Sequence, residues 1–166
     1  MTAVSGRKAI GIGITDAFAL LLIFAVPALS HLTAVPFYLL DPMRIAVLGA
    51  LLCTGSTKNS LALSIALPLM SLVLSGHPVF PKCALIAVEL AANVLLFAWL
   101  AKKMNAGIAV FISIIASKVL YYALKAAVLS AGLLEMGLVS TSLWIQLVVA
   151  LVFAAAFALF GNRRQA

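Results

Sequence analysis

Lys82, Glu89 and Asn93 fall at i, i+7 and i+11, a spacing that stacks an ammonium, a carboxylate and an amide on one helix face. Such a row can hold a small polar molecule by charge-assisted hydrogen bonds. Directly before it runs Ser75-Gly76-His77-Pro78-Val79-Phe80-Pro81, a rigid polar turn between two very apolar segments. Downstream, Lys118, Tyr121, Tyr122 and Lys125 repeat at i, i+3, i+4 and i+7, a second polar stripe on a single helix face. In a chain this poor in charge, polar rows on apolar helices need a reason. A ligand site supplies one.

The elements that must position these residues follow from composition. With 66% hydrophobic and 9% charged residues and a mean hydropathy of +1.26, the chain has too little polar surface for a soluble domain, whose apolar share is nearer half. The reading is an all-α integral membrane protein. A span takes about 20 apolar residues, so the chain has room for about six helices in a single transmembrane domain covering residues 1–166. Arg7 and Lys8 before an apolar run could mimic a signal peptide, but Asp16 interrupts the run and no small-x-small cleavage site follows. The first helix is therefore expected to be retained.

In order, helix 1 is expected over residues 9–29, followed by a loop over 31–41 punctuated by Pro36. Asp41 before Pro42 reads as an N-cap with proline at the first helical position. Helix 2 starts there, carries Arg44 in its first turn and stops near Thr54-Gly55; helix 3 follows Ser56-Thr57-Lys58-Asn59 and reaches about Leu74, with a kink expected at Pro68. Both are short, yet a re-entrant hairpin would carry Lys58 into the bilayer at a cost of several kcal/mol. Two tilted or shielded crossings are the better expectation. Helix 4 covers residues 81–101, helix 5 residues 106–129 and helix 6 residues 141–160, with 132–140 as the last external loop.

Placing the N-terminus in the cytoplasm puts Arg7, Lys8, Lys58, Lys102, Lys103, Arg163 and Arg164 inside and leaves Arg44 and Lys82 near the outer face. Both termini are then cytoplasmic. The net charge of +7 is accounted for by topology and anionic lipid rather than by nucleic acid. Counting down from the outer ends at about 1.5 Å per residue puts Lys82 at the surface, Lys125, Trp144 and Gln146 one to two turns deep, Glu89 and Tyr121 about 12 Å in, and Asn93 and Lys118 near the midplane. With Arg44 and a capping His77, these residues outline a polar pocket open to the outside and closed towards the cytoplasm. Glu89 is expected to rest in an ion pair with Lys118 or Lys125.

Plainer readings stand beside this one. Lys82 and Lys125 can snorkel to the interface, Trp144 can be a membrane-belt residue, His77 can order its loop, Glu89 can be a structural ion pair, and one of Tyr121 and Tyr122 must pack rather than face a pocket. Near the mouth, Lys82, Arg44 and Lys125 favour a carboxylate or phosphate-like group, Glu89 and Asn93 a ring N–H or amine, and Tyr121 and Trp144 stacking.

Gly11-Ile12-Gly13 is a bare GxG within a helix, with no preceding strand and no Gly-Lys-Ser/Thr, so it is no nucleotide loop. Cys53 and Cys83, expected at opposite faces, form no disulfide, and two histidines without paired spacing make no metal signature. No catalytic constellation or cofactor is expected. Ala9, Gly13 and Ala17 recur at every fourth position, a small-xxx-small stripe that lets another helix approach closely.

Taken with its size and six-helix pattern, the chain resembles the substrate-specific S components of energy-coupling factor (ECF) vitamin transporters. The residues that carry the resemblance are the Ala9/Gly13/Ala17 stripe, the long first external loop ending Asp41-Pro42-Met43-Arg44, Leu67-Pro68-Leu69, and Ser75-Gly76-His77-Pro78 with Lys82. The resemblance implies a prokaryotic inner-membrane protein that captures a vitamin-like molecule between helices 4–6 and the external loops. It further implies delivery by toppling in the membrane when docked, through the helix 1 stripe, to a transmembrane coupling protein with two ATPase subunits. A small intramembrane lipid-modifying enzyme using His77 and Glu89 as acid and base, or a stand-alone transporter with Glu89 as proton carrier, are the alternatives. Under the S-component resemblance, ATP hydrolysis belongs to the partner subunits and not to this chain.

The orientation is open to a direct check. In a background lacking Cys53 and Cys83, a single cysteine at Gly76 is expected to react with an impermeant thiol reagent in intact cells, whereas one at Lys103 reacts only after permeabilisation. The reverse pattern would invert the pocket.

Overall fold

The computed structural model describes residues 2–33, 37–76, 78–134, 137 and 142–161. It is all-helical in these residues. Helix α1 spans Thr2–Thr33, α2 Pro42–Thr54, α3 Thr57–Ser75, α4 Phe80–Leu100, α5 Ala106–Ser130 and α6 Leu143–Ala156, with a 3-10 turn at Phe37–Leu40 and a π-helical turn at Phe157–Gly161 continuing α6. Five helical stretches are long and apolar enough to cross a membrane: Ala9–Ser30, Thr57–Leu74, Phe80–Leu100, Ala106–Ser130 and Leu143–Gly161. The protein is thus of the multi-pass membrane type. Helix α2, at 13 residues, is the short one, reaching about 20 Å against a hydrocarbon core of about 30 Å.

Helix boundaries follow local chemistry. Ser56 caps α3 by accepting from the Asn59 N–H at 3.3 Å, and Asn105 caps α5 through the Gly107 N–H at 2.8 Å. Gly55 and Gly76 close α2 and α3 in the left-handed region, at φ 64° and 68°, returning their N–H groups to Leu51 and Leu72. The helix 3 start moves accordingly: Thr57, Lys58 and Asn59 form its first turn rather than preceding it. Helix α1 is longer at both ends than the apolar pattern implies, and α3 runs on through Pro68, which lies buried inside it.

Consecutive helices pack on one another, with α4 in the middle against α3 and α5, and α2 wedged between α1, α3 and α4. Two apolar cores result. One joins Ala19 and Ile23 of α1 to Val47, Leu67 and Val94. The other joins Leu48, Phe97, Val110, Ala150 and Phe157, with Phe97 and Phe157 edge to face at 5.0 Å. Ile10, Ile14, Phe18, Leu21 and Phe24 of α1 and Leu151, Val152 and Leu159 at the end of α6 stay exposed, as side chains facing lipid do. Asp16 is not left alone in α1: its Oδ1 accepts from Asn59 Nδ2 of α3 at 2.7 Å.

Alternating helix direction gathers Asp41, Pro78 and the end of α5 at one end of the bundle, and Gly55, Lys58, Lys102 and Lys103 at the other. There Lys102 and Lys103 are exposed, and Lys103 Nζ sits 4.0 Å over the Trp99 ring, a cation–π contact of the kind that anchors a helix end.

Helices α5 and α6 meet at Gly107, where an added Cβ would lie 2.7 Å from the Ala154 carbonyl oxygen and 2.8 Å from Ala158 Cβ. Gly107→Ala is expected to cost about 1–3 kcal/mol by overpacking, seen as a lower Tm in detergent. Gly13, with nothing within 4 Å of such a Cβ, should accept even leucine with Tm unchanged.

Candidate functional site

Arg44 stands in the first turn of α2 and is 1% exposed. A guanidinium so placed needs acceptors, since an unpaired ion in an apolar bundle costs several kcal/mol. Two carboxylates supply them. Arg44 Nε donates to Asp41 Oδ2 at 3.0 Å, and Arg44 Nη2 donates to Glu89 Oε1 of α4. Lys118 of α5 closes the ring, its Nζ 3.2 Å from Asp41 Oδ2 and 2.9 Å from Glu89 Oε1. Two cations and two anions from three helices and a turn thus form one charge-balanced cluster.

Asp41 takes the N-cap position but does not cap. Its backbone is left-handed (φ 56°, ψ 63°), alone among the described non-glycine residues, and its carboxylate makes no well-formed cap bond, its Oδ2 being engaged by the Arg44 and Lys118 side chains. Aspartate tolerates this region better than most residues, yet it still costs on the order of 1 kcal/mol. What outweighs the cap bond is the pair of contacts to the full charges of Arg44 and Lys118. Burial pushes the Asp41 carboxyl up, but the charges of Arg44 and then Lys118 more than offset this and hold it below its ordinary value.

One turn further along α4 a neutral layer follows. Asn93 Nδ2 lies 3.4 Å from Ser113 Oγ and 3.3 Å from Ser117 Oγ, and both hydroxyls donate to carbonyls of their own helix. All three residues are buried. Of the four buried side-chain atoms without a partner among the described residues, Ser30 Oγ and Ser60 Oγ lie elsewhere, and Arg44 Nη1 and Asn93 Oδ1 belong here. Buried polar atoms in folded proteins are nearly always satisfied, so an orphan donor and an orphan acceptor flanking one ion cluster mark where another molecule can bind.

Of the other residues expected here, Tyr121 is buried among Leu85 and Leu134 with its ring between two ammonium groups, Lys118 Nζ at 5.5 Å and Lys125 Nζ at 5.9 Å. Tyr122 packs edge to face on it at 5.4 Å and accepts from Gln146 Nε2 at 2.7 Å. Lys125 is buried and donates to the Gly137 carbonyl at 2.7 Å. Of the two partners anticipated for Glu89, Lys118 binds it, with Arg44 joining unanticipated, while Lys125, two turns further along α5, donates to Gly137. Arg44 is likewise no mouth residue, being drawn inward by the two carboxylates. Lys82 is half-buried. Trp144 is 76% exposed and lines an apolar groove of about 420 Å³ with Phe37, Leu39 and Val148, so it does not stack over the cluster. A second cavity, of about 540 Å³, opens at the opposite end beside Leu51, Phe97, Lys102 and Phe157. Within the cluster the four charged side chains are closed on one another. His77 lies outside the described residues.

Asp41, Lys118, Ser113 and Ser117 were not among the expected ligand contacts. A signal for two of them exists in the sequence: Asp41 and Arg44 are at i, i+3, and Lys118 shares a face with Tyr121 and Lys125. Comparison of the chain with protein-family models, characterised proteins and solved structures finds no match.

Glu89→Gln leaves Arg44 and Lys118 with one anion between them. Breaking a buried pair from one side costs about 3–5 kcal/mol, so a large fall in Tm is expected. Adding Lys118→Gln restores charge balance and should recover part of it, with a coupling energy of about 0.5–3 kcal/mol in a double-mutant cycle. Strict additivity would mean that the cluster does not act as a unit.

Proposed function

We propose that this chain is the substrate-capturing S component of an ECF-type importer in a prokaryotic inner membrane, binding a vitamin-like molecule at the outward end and relying on a transmembrane coupling protein and two ATPases for energy. The observation that carries the reading is the buried Arg44–Glu89–Lys118–Asp41 cluster with its unsatisfied neighbours, Arg44 Nη1 and Asn93 Oδ1. An ion network kept only for packing would consume its own donors and acceptors. This one retains a donor and an acceptor for a guest, at the end of the bundle where the first loop enters α2.

Helix α1 supports the second half of the reading. Ala9, Gly13 and Ala17 are all exposed, so the small-residue stripe faces away from the bundle and is open to a helix of a coupling protein. On the other side of the chain, the exposed Lys58, Lys102 and Lys103 fit a cytoplasmic face. The enzyme alternative fits less well. Glu89 Oε1 already accepts from two cations, which leaves that oxygen engaged in the network rather than free to take a proton from a substrate.

Native mass spectrometry of protein purified without added ligand is expected to reveal a bound small molecule. Gly13→Leu should retain that molecule within a few fold while abolishing ATP-dependent uptake into vesicles that contain the coupling proteins. Equal loss of binding and uptake would make the stripe internal packing, and ATP-independent uptake by this chain alone would replace the importer reading with a secondary transporter.

A further inference from the structure

We propose that the Asp41 carboxylate holds the place of a ligand carboxylate, so that the site takes a small carboxylated molecule which displaces Asp41 from Arg44 and Lys118. This rests on reading the cluster as a ligand site.

Charge counting selects the class of ligand. Arg44 and Lys118 are matched by Asp41 and Glu89, so an anion added to the intact cluster would bring an uncompensated charge into an apolar bundle. Exchange avoids this: one carboxylate leaves as another arrives. A phosphate dianion would not preserve the balance, and an uncharged ligand would leave the cations short of an anion once Asp41 moved.

The two carboxylates differ in their freedom to leave. The Glu89 side chain is 4% exposed and fixed in the third turn of α4, whereas that of Asp41 is 29% exposed and precedes α2. Asp41 is thus the freer of the two to swing outward. Its left-handed backbone can relax as it does so.

A free carboxylate also has something to gain that the tethered one lacks. Asp41 engages Arg44 only through Nε, and Nη1 stays unbonded in the core. A ligand carboxylate that takes the Nε position leaves Nη1, on the other side of the guanidinium, for a second acceptor on the same molecule, and a hydrogen-bond donor elsewhere on it can meet Asn93 Oδ1. The site thereby discriminates: the tethered carboxylate keeps out anions too small to fill both orphan positions, and a complete ligand outcompetes it.

The test is chemical rescue. Asp41→Gly removes the carboxylate while accepting φ 56° without strain. Its Tm in detergent should fall in chloride buffer and recover in a saturable manner, by half or more, on adding sodium acetate. Acetamide, or sodium chloride at equal ionic strength, should not restore it, and the wild-type protein should not respond to acetate. Asp41→Ser, which also vacates the carboxylate's position, is run in parallel and should respond in the same sense if the glycine variant does not fold. Failure of acetate, equal rescue by acetamide, or the same shift in wild type would each overturn the placeholder role. Native mass spectrometry of the wild type separates this from failure of the ligand site itself. A bound molecule together with acetate-insensitive variants rejects the placeholder and leaves the site standing. A bound molecule with no carboxylate rejects it as well. Rescue by acetate with no bound molecule in the wild type supports the anion position while counting against the capture function.

Discussion

Everything at one end of this bundle depends on keeping Arg44 charged inside it. A guanidinium that is 1% exposed survives only with acceptors in fixed positions, and these come from places far apart in the chain: the turn before α2, the third turn of α4, and through Lys118 the middle of α5. The cluster is therefore a constraint on how α2, α4 and α5 are placed relative to one another. It also gives a role to the shortest helix. α2 need not reach across a bilayer by itself, because α1, α3 and α4 shield it and its first turn is held by ions rather than by length.

Ion pairs are a costly way to hold helices together. Replacing a buried pair by apolar side chains of similar size is often neutral or stabilising, and this chain has no shortage of such side chains: Val47, Leu90 and Val94 pack one turn away with no polar atoms at all. A network chosen for stability alone would have given way to more of the same. What the ions provide and leucine cannot is a set of donors and acceptors whose partners can be exchanged. The layer beneath has the same character, since Ser113 and Ser117 satisfy their own helix carbonyls and leave Asn93 with an unused oxygen.

The fold was legible to a large degree because hydropathy sets where helices run. The starts and stops of α2, α4 and α5 fall within one or two residues of where Pro42, Phe80-Pro81, Asn105 and Gly55 place them. Helix α1 was read too short, since its polar first turns carry no hydropathy signal. The site was legible in part. Residue type and helical spacing identified Glu89, Asn93 and the Lys118-to-Lys125 stripe as inward-facing, but spacing along one helix is silent on which residue of a second helix lies opposite. That is why Glu89 was matched with Lys118 or Lys125 without a choice between them, and why Arg44 was set at the mouth rather than beside Glu89. Asp41 was hidden for a different reason: a residue before proline at a helix start has an ordinary capping role, and only the left-handed backbone shows that its side chain has been diverted. Trp144 was misplaced because an indole near a helix end suits an apolar groove as well as a ligand stack.

The arrangement also separates two tasks in space. The small residues of α1 face outward and contribute nothing to the cluster; the polar link from α1 into the bundle among the described contacts, Asp16 to Asn59, runs to α3 and not to α2, α4 or α5. A partner helix approaching Ala9, Gly13 and Ala17 would meet a surface whose shape is independent of what occupies the ion cluster. Under the proposed function, this means that docking does not have to read the ligand through α1. Any dependence of transport on ligand must then pass through the elements that the ligand itself rearranges, and in this bundle the first of those is the turn at Asp41, which joins the Phe37–Leu40 segment to α2. That segment lies against both α1 and α6, so a displaced Asp41 would be felt by the two helices with the least of their surface buried. Loop and lipid-facing helices, and not the tightly packed α4–α5 core, are where a bound and an empty molecule would differ.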